Sequence, residues 1–168
     1  MTHDGAVDQW PTAEDIMRAE DEVVLPELTE RVAYALGCQA VDTGLQQGLP
    51  IAIGLWRGER QLFHCALPGS TQDNNEWLRR KGRVVMRFER SSLYVARLCK
   101  EQGTTLAERF ALPPSRFAAA GGAVPLRVRG AGVVGWMGVS GLPQLDDHQF
   151  VMKTLRDYLG GVGPGQTT

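Results

Sequence analysis

Two short apolar runs joined by a polar turn, matched after a long helical insert by a second such pair, constrain this chain more than any other feature of its sequence. Leu49 to Trp56 and Gln61 to Leu67 flank Arg57-Gly58-Glu59-Arg60 and read as one β-hairpin. In the second pair Val124, Leu126 and Val128 alternate with Pro125, Arg127 and Arg129, the pattern of a strand with one solvated face, and Pro125 places it at a sheet edge or a strand start. Gly130-Ala131-Gly132 turns the chain, and Val133 to Ser140 returns as a more apolar strand. These four strands are clear, and a fifth could come only from Glu22 to Pro26.

Helical periodicity fills the intervals. Pro11-Thr12-Ala13-Glu14-Asp15 opens a short acidic helix, and Thr29 caps a second that carries Val32, Ala33, Leu36 and Ala40 at helical spacing. A third begins near Asn74, with Asp73 as its N-cap, and runs to about Arg90. Its spacing puts Trp77, Val84, Val85 and Phe88 on one face and Arg79, Arg83, Arg87 and Arg90 on another. Ser91 or Ser92 starts a fourth that Gly103 stops, and Thr105 to Glu108 starts a short fifth ended by Pro113-Pro114. In the last helix Phe150, Val151, Leu155 and Leu159 or Tyr158 form the buried stripe, and Asp146-Asp147-His148 reads as its exposed first turn. The plan is α+β: one domain over 11–161, with 1–10 and 162–168 expected to be flexible.

Charge is divided unevenly along the chain. Residues 1–30 hold nine acidic side chains and one basic, whereas six basic residues fall between Arg79 and Arg90. A pI near 6.3 lacks the broad positive excess of a nucleic-acid binder, so an anionic partner would be small and local. The acidic segment Glu14 to Glu30 could itself lie against the arginine stripe and make those charges architectural. No apolar run is long enough to span a bilayer and no signal peptide is visible, so the expected location is the cytoplasm, away from membranes. Cys38, Cys65 and Cys99 form no CxxC pair and read as buried free thiols, and no metal motif stands out.

Three stretches carry a family resemblance: Leu49 to Ile53, then Leu62-Phe63-His64-Cys65-Ala66-Leu67-Pro68-Gly69, then Asp73-Asn74-Asn75-Glu76-Trp77 with Arg80-Lys81. Together with Gly121 to Leu126, Gly132 to Gly135 and Val139 to Pro143, they make the chain resemble the haem-degrading (GlcG/HbpS-like) superfamily, and more narrowly a widely distributed subfamily with no settled activity. The resemblance covers about residues 14 to 160. It implies a profilin-like fold, with a five-stranded antiparallel sheet and helices on both faces, and a homo-oligomer. It also brings haem into consideration as a cofactor, although the residues themselves name no catalytic group.

The candidate ligand site is the strand end and helix start containing His64, Gly69, Thr71, Asn74, Trp77, Arg80 and Lys81, where helix N–H groups and cations would suit a carboxylate. His64 could ligate haem iron, though a buried, hydrogen-bonded histidine is the commoner use of such a residue. The stripe Arg79, Arg83, Arg87 and Arg90 is a second anion or interface candidate. Two readings follow. One is a small-ligand protein taking haem or another carboxylate-bearing molecule. The other is a non-enzymatic oligomeric scaffold or adaptor.

Overall fold

The computed structural model describes residues 9–161, so the ends expected to be flexible lie outside the described residues apart from Gln9 and Trp10. Trp10 is buried against Ile16, Leu93 and Ala96, with the Lys100 ammonium 4.8 Å from its ring centroid, which ties down the last residue of the stretch expected to be loose.

Helix α1 (Ala13–Asp21) leads through β1 (Val24–Leu25) to α2 (Glu30–Gln46), capped by the Thr29 hydroxyl accepting from Val32 N. Strands β2 (Ala52–Arg57) and β3 (Arg60–Ala66) form the first hairpin, and β4 (Ala123–Val128) and β5 (Gly132–Ser140) the second. Between them lie α3 (Gln72–Phe88), α4 (Ser92–Glu101) and α5 (Leu106–Phe110), and α6 (Gln144–Leu159) closes the domain. The sheet order is β1-β4-β5-β2-β3, so the second hairpin inserts between β1 and the first. Every ladder is antiparallel except β1 with β4. A hairpin turn forces antiparallel pairing, and β1, which enters from α1, is under no such constraint.

The sheet is covered on both faces. Ile53, Leu55, Val124, Leu126, Met137 and Val139 meet α2 and α6 in the main core, and the alternate residues Ala52, Trp56, Ala123 and Trp136 meet Leu78 and Val85 of α3. This makes β4 an interior strand buried along both faces to Leu126, where a solvated face was expected. Pro125 is tolerated there because β1 pairs only with Arg127 and Val128. Ala123, two residues earlier, directs its N–H and C=O away from β5 to the Ser92 hydroxyl, and Pro125 repeats that orientation where no strand asks for a donor.

Other departures follow from the same packing. Helix α3 starts two residues earlier than expected: Thr71 is the N-cap, its N–H donating to Asn74 Oδ1 at 2.8 Å, and Asp73 instead accepts from Trp77 Nε1. Trp77 and Phe88 are only half-buried, and Leu78 takes the core position. On α6, Leu159 is exposed, whereas Asp147 and His148 are 1% and 6% exposed. The acidic N-terminal segment touches the arginine stripe only at its end. Arg90 Nη1 lies 2.7 Å from Asp21 Oδ1 and 3.8 Å from the buried Glu20, whose other oxygen accepts from Ser91 N. Glu30 goes elsewhere, to Arg57 and Arg60. Of the three thiols only Cys99 is fully buried, and all are free.

Candidate functional site

The site is built on a close approach of α3 to the sheet. Trp56 and Trp136 are cross-strand partners on β2 and β5, and their indoles stack with centroids 4.2 Å apart and planes 7° from parallel. Two residues along on the same face are Gly54 and Gly138, also partners across the ladder. A β-carbon on Gly54 would collide with the Trp56 indole, and one on Gly82 of α3 would collide with that of Trp136. Glycine below and glycine above therefore make a slot for the stacked pair, and α3 sits low over it.

On the outer side of that slot a groove of about 800 Å³ opens between α3, the β2–β3 turn and the segment after α5. Arg79, Gly82, Arg83 and Arg87 form one wall, Arg116 and Phe117 another, and the tryptophan pair the floor. Arg83 Nη1 donates to the Arg116 carbonyl at 3.2 Å, which fixes the two walls to each other. Glu59 is the one carboxylate among the lining residues, and among the described residues Arg79, Arg83, Arg87 and Arg116 make no ion pair. Four guanidinium groups thus surround an aromatic floor, and guanidinium forks are suited in geometry to carboxylate or phosphate oxygens.

His64 stands at one end of this groove. It is exposed on the edge strand β3, contrary to the buried histidine expected as the commoner case, and its Nε2 is 2.7 Å from Asn75 Oδ1. A cavity of about 270 Å³ lined by His64, Gln72, Asn75 and Arg79 shares Trp56, Gln61 and Arg79 with the larger groove, so the two adjoin.

The candidate set therefore divides. His64 lines the small cavity beside the groove, which itself carries Arg79, Arg83 and Arg87. Thr71 and Asn74 are occupied in capping α3, and Gly69 serves the preceding turn at φ 90°. Trp77 and Arg80 stack on each other at 4.5 Å and line a different cavity, with Arg80 Nε and Nη2 both donating to the Pro114 carbonyl.

Lys81 leaves the surface altogether. It is 3% exposed, and its Nζ donates to Asp147 Oδ2 at 3.1 Å and to Val139 O at 3.3 Å, while Asp147 Oδ1 accepts from Leu142 N at 3.0 Å. Burial pushes the Asp147 carboxyl up to about 6 against the pull of Lys81, and burial pulls the Lys81 ammonium down. His148 beside it is drawn down to about 4, first by burial and then by Arg156, so it is neutral. Among the described residues no group of three or more His, Cys, Asp or Glu is placed to hold a metal ion, and no helix is long and apolar enough to cross a membrane.

The residues missed from sequence are Trp56, Trp136 and Arg116. The signal for the two tryptophans was present as Gly54-x-Trp56 and its mirror image Trp136-x-Gly138, which place tryptophan and glycine on one face of adjacent strands, whereas Arg116 had none.

Comparison with known proteins accords with this architecture. A UPF0303 protein of Streptomyces avermitilis is 44% identical over 149 residues, covering 89% of this chain and 91% of its own. The crystal structure of the Ybr137w protein superposes with a TM-score of 0.83 at 27% identity, covering 91% of this chain and 90% of that one. The structure of a PduOC:heme complex shares the fold at a TM-score of 0.65 and 15% identity, over 77% of this chain and 93% of its own. Residues 28–156 match the profile described as haem degrading protein HbpS-like, and the chain belongs to that family.

Proposed function

We propose that the groove running from His64 to Arg116 binds haem or another flat, carboxylate-bearing molecule. The observation that carries this reading is the set of Arg79, Arg83, Arg87 and Arg116, which surround the stacked tryptophans without acidic partners among the described residues. A guanidinium left unpaired beside an aromatic floor is arranged for an incoming anion. The residues fit haem in kind: Arg83, Arg87 and Arg116 would take its carboxylates, and His64 is the imidazole of the adjoining cavity. Bound haem would supply redox chemistry at its iron. The haem in the structure of the PduOC:heme complex, and membership of the HbpS-like haem-degrading family, support the choice of haem over other carboxylates.

Titration with haem followed at the Soret band tests this. A saturable spectrum is expected, with a shifted band in His64→Ala and affinity at least about a hundredfold lower in Arg83→Glu/Arg87→Glu, the scale of two charge-assisted contacts at about tenfold each. No saturable spectrum from the unaltered protein would refute the haem reading.

A second reading, assembly into a homo-oligomer, is supported by β3. It is the last strand of the sheet and has no partner on its outer side among the described residues, and Tyr34 and Leu45 remain exposed on α2, which packs against it. Light scattering on the unaltered protein and on Leu62→Pro in that edge strand tests it, a multimer in the first and a smaller species in the second being expected. A monomer in the first would refute it.

A further inference from the structure

The groove does not account for a second cavity, on the other side of the chain segment that forms its far wall. After α5 the chain runs through Pro113-Pro114 to Ala118-Ala119-Ala120, and α3 holds it as a strap. Arg80 donates twice to the Pro114 carbonyl (3.0 and 2.7 Å), Arg83 donates to that of Arg116, and Ala118 N donates to the Arg80 carbonyl at 3.2 Å. Phe110, Leu112 and Phe117 anchor the strap in a cluster with Val84, Val95, Cys99 and Leu106. The strap is thus fixed in place, and the space of about 500 Å³ between it, α4 and α5 is a built cavity.

Three features define what would fill it. Its lining is apolar and small, since Ala96, Ala107, Ala118, Ala119 and Ala120 stand where larger side chains would close the space. Protein interiors are otherwise packed to a density of about 0.75, and apolar clefts of about 300–1,000 Å³ with a few polar groups are the usual form of a small-molecule site. Arg80 and Lys100 both line the cavity, and no Asp or Glu does. Each cation is held over an indole, Arg80 at 4.5 Å from Trp77 and Lys100 at 4.8 Å from Trp10, and neither has an ion-pair partner among the described residues. Pro114 takes only part of the Arg80 fork, and the Lys100 ammonium keeps its donors.

We infer that this cavity is a second ligand site, separate from the arginine groove, and that it takes an amphipathic carboxylate: an apolar body seated among the alanines, with its anionic head on Arg80 and Lys100. The two sites touch only at Phe117, which lines both.

The test is calorimetric titration of the full chain with decanoate, decanol and decyltrimethylammonium, each below its micelle concentration, with tryptophan fluorescence in parallel. Decanoate should bind saturably and quench or enhance emission through Trp77, with decanol weaker and the cationic amphiphile weakest. Lys100→Gln, at an exposed position, should weaken decanoate about three- to fivefold and leave decanol unchanged, the scale of one partly screened charge. Ala120→Leu, with its melting temperature checked, should abolish both. Arg79→Glu/Arg87→Glu, which leaves the Arg80 and Arg83 bonds to the strap in place, should leave decanoate affinity as it was, whatever it does to haem. The inference is overturned if decanoate fails to saturate, if head-group charge makes no difference, if a folded Ala120→Leu binds like the unaltered protein, or if the arginine variant loses decanoate. Should Ala120→Leu not fold, the head-group series and Lys100→Gln decide alone.

Discussion

Helix α3 carries cations of two kinds within one turn of each other. Lys81 points into the domain and is saturated by Asp147 and a main-chain carbonyl, while Arg79 and Arg83, on either side of it in sequence, stand over the groove with no carboxylate attached. Position on the helix makes the difference. Lys81 shares a face with Leu78 and Val85, at i−3 and i+4, whereas the arginines repeat every four residues on the opposite side. Charge of one sign on one helix therefore does two jobs: the buried charge joins α3 to α6, and the exposed charges remain available to a ligand.

The comparison can be broken most sharply at Lys81. Lys81→Met leaves a buried carboxylate without its cation and should cost about 3–5 kcal/mol in denaturant unfolding, while Lys81→Met/Asp147→Leu should recover most or all of that loss. A single variant as stable as the unaltered protein would mean that the pair is not holding the two helices. Next in size is Gly82→Ala. Its added carbon meets the Trp136 indole, so a loss of about 1–3 kcal/mol from overpacking is expected, along with altered tryptophan emission as the stacked pair shifts.

A pH test separates His148 from its neighbour. His148 is held at about 4 against an ordinary 6.5, so between those values the unfolded chain takes the proton, and the stability present above pH 6.5 is lost as pH falls toward 4. Asp147, raised from 3.8 to about 6, acts in the opposite sense, since there the folded state holds the extra proton and acidification favours it. The two offset each other in the unaltered protein. His148→Gln should remove one side of that balance, so that its melting temperature falls less, or rises, on going from pH 6.5 to 4. The smallest effect on stability should come from Arg79→Glu/Arg87→Glu, about 0.5 kcal/mol or less, since these side chains are exposed and unpaired with acid. In these arginines the change should be seen in ligand binding instead.

Most of the architecture was legible because it rests on local signals. Hairpin turns, the Thr29 cap, the serine start of α4 and the periodicity of α2 lie within a few residues of what they control. Long-range partners were not legible in the same way. Asp147 and Lys81 each read as surface charge by residue type, yet each falls on the apolar repeat of its own helix, Asp147 four residues before Val151 and eight before Leu155. An acid and a base placed on two core faces are a signal only when considered together. The candidate site suffered similarly, since His64, Trp77 and Lys81 lie close in sequence but strand β3 and two faces of α3 turn them to three different surroundings.

The strand order also bears on how the chain is made. β5 lies between β4 and β2, yet β2 and β3 are complete some 70 residues before β5 is synthesised, at the typical pace of translation a matter of several seconds. Until then the first hairpin has a bare inner edge, with Ile53 and Leu55 uncovered by β5. A chain ending before Gly132 would therefore leave unpaired an edge of β2 that residues 132–140 cover in the finished sheet.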